Sequence, residues 1–175
     1  MPRQFNDKLV SRTRSQIEEE AERVLQRHNI VHPPIDPIRI ANANRIPIYN
    51  ARFTDDSISG MLAERGTSIV MLINQVDSAF RKRFTIAHEL GHHILHLPLK
   101  KEHITRVVDL FRAPSESNSR ENAEIQANQF AAALLMPRQM VSDLHETGMK
   151  IKELSRVFQV SEEAMGYRFN TLGLV

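Results

Sequence analysis

The chain contains no cysteine, which excludes disulfide staples and thiolate metal sites. Any bound metal must then be held by histidine and carboxylate. No apolar run approaches the ~18 residues that mark a membrane-spanning helix. The basic N-terminus is not followed by an apolar segment of the signal-peptide kind. A soluble, cytoplasmic protein is expected. A dominant charge is lacking too: 23 basic residues stand against 21 acidic ones, a formal net charge of +2. That slight excess does not make a polyelectrolyte surface for nucleic acid. What remains is an ordinary globular composition, 41% hydrophobic and 25% charged over 175 residues. Such a chain can bury a sizeable core as one domain, or one domain with a small appendage.

Residues 88 to 92 read His-Glu-Leu-Gly-His. On a helix, two histidines four apart share a face and lie about 6 Å apart along the axis. Their ring nitrogens can converge on one ion, and Glu89 stands where its carboxylate can serve as general base without binding the metal. Phe84, Ala87, Leu90, Ile94 and Leu95 supply apolar positions, so Ser78 to Leu97 reads as a core-packed helix ended by Pro98. Gly91 inside it costs about 1 kcal/mol relative to alanine. It marks close approach either of another element or of a substrate.

His96 cannot join His88 on one ion, because eight residues of straight helix separate them by about 12 Å. A His92–His96 pair lacks an acidic residue after its first histidine. The longer pattern H-E-x-x-H-x-x-G-x-x-H also fails, with Leu95 at the glycine position and Pro98 at the third histidine position. A third ligand must come from elsewhere. Glu121 to Pro137 reads as a largely buried helix with apolar positions at Ile125, Ala127, Phe130, Ala131, Leu134 and Leu135. Glu124, Ala127, Asn128, Ala131 and Leu135 share one stripe. A carboxylate on a buried stripe is costly unless a charge compensates it, and zinc would do so. Asn128, one turn on, is placed to hydrogen-bond a ligand histidine. Glu124 is therefore favoured as third ligand over Glu121, which stands one turn earlier.

Elsewhere, Leu9, Val10, Ile17, Ala21, Val24 and Leu25 outline an amphipathic helix ending near Asn29, with Ser15 and Glu18 as a capping box. A turn-rich connector, Pro33 to Pro37, leads to a short helix at Ile38–Asn44 and a strand at Ile46–Phe53. Ser59–Ala63 and Ser68–Ile73 read as a hairpin. If the strand Ile69–Ile73 lies at the sheet edge, an extended polypeptide can add to it and present a peptide bond to the metal; a plain core strand is the equal alternative. Residues 98–119, with Lys100, Lys101 and Arg106, form a long connector that would border the cleft. From Ile151 to Val175 the cadence is that of a helix-turn-helix, with Ser161 as N-cap and Glu162 and Glu163 following. Those carboxylates would meet DNA phosphates, so packing is favoured over DNA reading.

The segments Arg83-Phe84-Thr85-Ile86-Ala87-His88-Glu89-Leu90-Gly91-His92-His93 and Glu124-x-x-Ala127-Asn128-x-Phe130-Ala131-Ala132-x-Leu134-Leu135-Met136-Pro137 resemble the ImmA/IrrE family of zinc metallo-endopeptidases. Weaker matches fall at Ile35-Asp36-Pro37, Ile40-Ala41, Ser59-Gly60-Met61 and Leu154 to Val175. Gln126 departs from the pattern where relatives often have an acidic residue. The resemblance implies Zn2+ held by His88, His92 and Glu124, Glu89 as general base, and a thermolysin-like, gluzincin type of catalytic domain. It also implies a protein substrate, commonly a helix-turn-helix repressor or antitoxin.

The expected fold is α+β: a small, mostly antiparallel sheet packed against a helix bundle that carries the zinc helix, with a helix-turn-helix-like C-terminal segment. The expected division is 1–145 for the peptidase and 146–175 for the appended segment. A second oxyanion donor is expected among His93, His103, Tyr49, Tyr167 and nearby arginines. The competing reading is a non-proteolytic regulatory module with structural zinc that binds a repressor or DNA. The presence of Glu89 argues against it. Hydrolysis of a non-peptide substrate is a third reading without a specific signal.

Overall fold

A computed structural model of the chain describes residues 11–55, 57–65, 68–96 and 117–174. Among these the order is α1 (Arg14–Arg27), α2 (Pro37–Ala43), β1 (Ile48–Ala51), β2 (Gly60–Arg65), β3 (Ser68–Asn74), α3 (Ala79–His96), α4 (Ser117–Leu135), α5 (Arg138–Glu146), α6 (Ile151–Phe158) and α7 (Glu162–Leu172). Leu9, Val10 and the connector up to residue 116, including Lys100, Lys101, His103 and Arg106, lie outside the described residues. No described helix is long and apolar enough to cross a membrane.

The α+β class holds, but the sheet is mixed rather than mostly antiparallel. Its order is β1-β3-β2. β2 and β3 form the expected hairpin, Arg65 opposite Ser68 and Gly60 opposite Ile73, whereas β1 runs parallel to β3, Ile48 opposite Met71. The strand Ile69–Ile73, whose edge position was the condition for peptide addition, is therefore the central one. Its unbroken apolar run explains why: Val70, Met71 and Ile73 are all buried, as on a strand covered on both faces. A half-exposed edge strand would alternate instead. The outer strand on the hairpin side is β2.

Local chemistry sets the helix starts. α1 begins before Ser15 because Thr13 and Gln16 form the reciprocal capping box: Gln16 N donates to Thr13 Oγ1 (3.3 Å) and Thr13 N to Gln16 Oε1 (2.8 Å). Glu18, expected in that role, is committed elsewhere. Asp36 caps α2, with Pro37 at its first position. The Ser78 hydroxyl accepts from Arg81 N (3.3 Å) at the start of α3. Ser161 caps α7 as its sequence suggests, accepting from Ala164 N at 3.1 Å. Gln159 ends α6 in the left-handed region at φ 54°. Ile125, expected in the core, is 46% exposed.

One buried cluster runs from Ile17 and Leu25 of α1 through Met71, Leu90 and Phe130 to Phe158 and Phe169 of the C-terminal helices. Two arginines stitch its margins. Arg83 of α3 donates to Ile35 O (2.6 Å) and to Gln159 O (3.1 Å). Arg168 of α7, 3% exposed, donates from Nε to Met136 O (2.8 Å) and with both terminal nitrogens to Glu18 of α1, 150 residues away.

A buried charge stripped of its partner costs about 3–5 kcal/mol, whereas replacing the whole pair with apolar side chains is often neutral. Urea unfolding of Glu18→Leu is expected to show a loss of that order, with much of it recovered in Glu18→Leu/Arg168→Met. A loss below about 1 kcal/mol in the single variant would mean that the pair is not what joins the chain's two ends.

Candidate metal centre

One turn of α3 separates His88 from His92, and both rings face α4. His92 Nε2 lies 3.0 Å from His88 Nε2. Glu124 spans them, Oε2 at 3.2 Å from His88 Nε2 and Oε1 at 3.3 Å from His92 Nε2. Among the described residues these three form the only group of this kind able to hold a metal ion. Glu121 is exposed and stands outside the group. Tetrahedral ligands at the ~2.0–2.1 Å of a zinc site are separated by about 3.3–3.4 Å. The observed spacings are close to that. The donor set, two imidazoles and a carboxylate with no thiolate, suits zinc.

The tautomer also fits. His88 Nδ1 is 2.9 Å from Asn128 Oδ1. An acceptor at that position places the proton on Nδ1 and leaves the Nε2 lone pair facing the ligand cluster. Asn128 follows Glu124 by one turn of α4, so a single helix face supplies both a candidate ligand and the group that orients another.

Electrostatics separate the two glutamates. Glu89 is 7% exposed, and burial raises its pKa above the ordinary value, with the nearby His92 and His88 opposing. Glu124 is shifted the other way: hydrogen bonds from His88 and His92 hold it well below the usual carboxylate range. For His88, burial disfavours the cation, but Glu124 and Glu89 together outweigh it and raise the pKa. His96 packs beside His92 with ring centroids 5.6 Å apart, and burial lowers its pKa to about 4. Burial lowers that of His93 as well.

The group opens on a cleft of about 880 Å³ walled by Gly60, Met61 and Leu62 of β2, the loop from Thr54 to Ser59, and the facing sides of α3 and α4. Apart from Ser59, these loop residues were not singled out from sequence, since none of them carries a chemical signature. Of the expected oxyanion donors, neither Tyr49 nor His93 lines this cleft. Tyr49 instead accepts from Arg65 (3.3 Å), and Tyr167 lines a neighbouring cavity. His103 is outside the described residues. The donors along the cleft among the described residues are Thr54, Ser57, Ser59, Arg81, Thr85 and Asn128.

Gly91 is explained by packing. A Cβ there would come within 3.1 Å of Ala127 Cα and 3.2 Å of Ala127 O, both backbone atoms of α4. Gly91→Ala should therefore shift α4, lowering stability by about 1–3 kcal/mol and weakening any metal binding by the group, measurable by chelator competition. Unchanged affinity would show that Glu124 does not depend on this approach. Asn128→Ala tests the orienting contact: in the metal-free chain at alkaline pH, nitrogen NMR should find His88 protonated at Nδ1 in wild type and mixed in the variant. Zinc affinity should fall by about 10–100-fold.

A family model described as the IrrE N-terminal-like domain, within the peptidases, matches residues 41–170. The radiation response metalloprotease IrrE of Deinococcus radiodurans is 33% identical over 102 residues, covering 56% of this chain and 30% of that protein. A solved structure titled Mycobacterium tuberculosis transcriptional regulator superposes with a TM-score of 0.62 at 19% identity. It covers 89% of this chain and 46% of that one, a likeness of fold. The chain thus spans less than half the length of either protein.

Proposed function

Because the chain belongs to the ImmA/IrrE family, matched by the IrrE N-terminal-like peptidase domain over residues 41–170, we propose that it is a zinc-dependent endopeptidase acting on a regulatory protein. The family implies a metal cofactor, and the His-His-Glu group can hold one. In this reading His88, His92 and Glu124 hold the zinc, Asn128 orients His88, and Glu89 is the general base. The observation that carries it is the juxtaposition of two differently tuned carboxylates on one cleft, one against both imidazoles and one buried beside them.

Zinc, when bound, would lower the pKa of a water toward 7 and polarise the scissile carbonyl. Glu89 takes the proton from the attacking water and returns it to the leaving amine. Its burial helps, because a carboxylate with a raised pKa is the stronger base. Glu124, with its pKa depressed, stays ionised and does not compete for that proton. The strand-addition idea moves from β3 to β2. β2 pairs only with β3 among the described residues, and its Gly60–Leu62 stretch walls the cleft. A polypeptide laid along its free edge is held by main-chain hydrogen bonds beside Glu89.

A helix-turn-helix repressor or antitoxin is the proposed substrate, on the strength of the family resemblance. DNA binding by this chain is not part of the reading. In the proposed C-terminal segment, residues 146–175, Glu162 and Glu163 stand at the start of α7, and Arg168 is turned inward to Glu18. The segment serves as packing and as a cavity wall.

The test pairs wild type with Glu89→Gln, measuring bound zinc and cleavage of a repressor encoded beside the gene. Both proteins should carry zinc, and cleavage should fall by about 10²–10⁴-fold in the variant. Undiminished cleavage by Glu89→Gln would sink the mechanism.

A further inference from the structure

Asn128 has one end committed and one end free. Its Oδ1 faces His88 Nδ1 at 2.9 Å, and that is its only hydrogen bond among the described residues. A planar amide with its oxygen so engaged presents its NH₂, two donors, in the other direction. Asn128 is exposed. With Phe84 it lines both the cleft and a second cavity of about 390 Å³ between α1, α4 and α7. That cavity has apolar walls at Phe84, Ala132, Met136 and Ala164. Of its charged lining residues, Arg168 and Glu18 are spent on one another and on Met136 O, while Arg14 and Glu163 are exposed. A large aliphatic or aromatic side chain finds apolar surface against these walls.

We propose that Asn128 is a substrate-binding residue: while Oδ1 holds His88, Nδ2 donates to a main-chain carbonyl of the bound polypeptide. The apolar side chain beside that carbonyl enters the Ala132–Ala164 cavity. Continuity through Phe84 and Asn128 selects this occupant, since a chain lying in the cleft reaches the cavity without leaving the surface of α4. This rests on the metalloprotease reading.

The test needs no knowledge of the natural substrate. Three probes bind the zinc-loaded full chain: acetohydroxamate, a succinyl hydroxamate alaninamide, and its isobutyl-substituted form. They add, in turn, the metal-binding group, a main-chain carbonyl and a leucine-like side chain. Wild type should bind the isobutyl probe about 10–100-fold more tightly than its unsubstituted parent. Asn128→Asp keeps an acceptor for His88 and loses the donor. Measured against its own affinity for acetohydroxamate, it should bind both succinyl probes about tenfold more weakly than wild type does. Ala164→Phe should erase the isobutyl preference alone.

Equal binding of all three probes by wild type and Asn128→Asp overturns the donor role. Absence of an isobutyl preference in wild type overturns the cavity's role without needing any variant to fold. Failure of the parent reading looks different: wild type would hold neither zinc nor acetohydroxamate.

Discussion

The contact of α3 with α4 at Gly91 is the constraint on which the site depends. Gly91 lies between His88 and His92, and the backbone it meets, Ala127, lies between Glu124 and Asn128. With no side chain interposed, the helices approach closely enough for a short carboxylate to span two imidazoles at 3.2 and 3.3 Å. Glycine costs about 1 kcal/mol in a helix interior. Here the penalty is offset by a geometry that a larger residue would deny. The same approach brings Asn128 within 2.9 Å of His88.

Three donors so close would repel if all were bare. Without a metal the cluster relieves this with protons: the pKa of His88 rises and that of Glu124 falls, the signature of a shared positive charge among acceptors. A divalent cation replaces that proton and satisfies all three at once. Glu89 escapes this sharing because burial, rather than a hydrogen bond from either imidazole, dominates its environment. Pushing two carboxylates apart in this way suits the proposed roles of a ligand and a base.

The parts legible in the sequence were those with a local cause. His88, Glu89 and His92 follow from helical spacing, and Glu124 and Asn128 from a polar pair on an otherwise apolar stripe. Ser161 and the β2–β3 hairpin rest on short-range chemistry as well. What was misread depended on contacts distant in sequence. Glu18 looks like half of a capping box until Arg168 is found 150 residues away. Edge and core positions were left open for β3, although its unbroken apolar run fits a central strand. The order β1-β3-β2 follows from how β1 returns to the sheet, and no periodicity records that. The loop from Thr54 to Ser59 is the least legible part, because a cleft wall built from small polar residues has no pattern beyond a turn.

The proposed third ligand on a second helix would have a consequence that a single-helix motif lacks. A metal held only by α3 would report on local helix formation, whereas one held across α3 and α4 would report on tertiary packing. Metal affinity and folding are then linked, since a misplaced α4 loses ligand and orienting group together. The linkage extends to the chain's ends. α4 runs into Met136, whose carbonyl accepts from Arg168, and Arg168 in turn grips Glu18. The N- and C-terminal helices thus fix the C-terminal end of α4. In this architecture the C-terminal helices need not touch DNA to matter: they set the position of the helix that completes the metal group and close the cavity beside it.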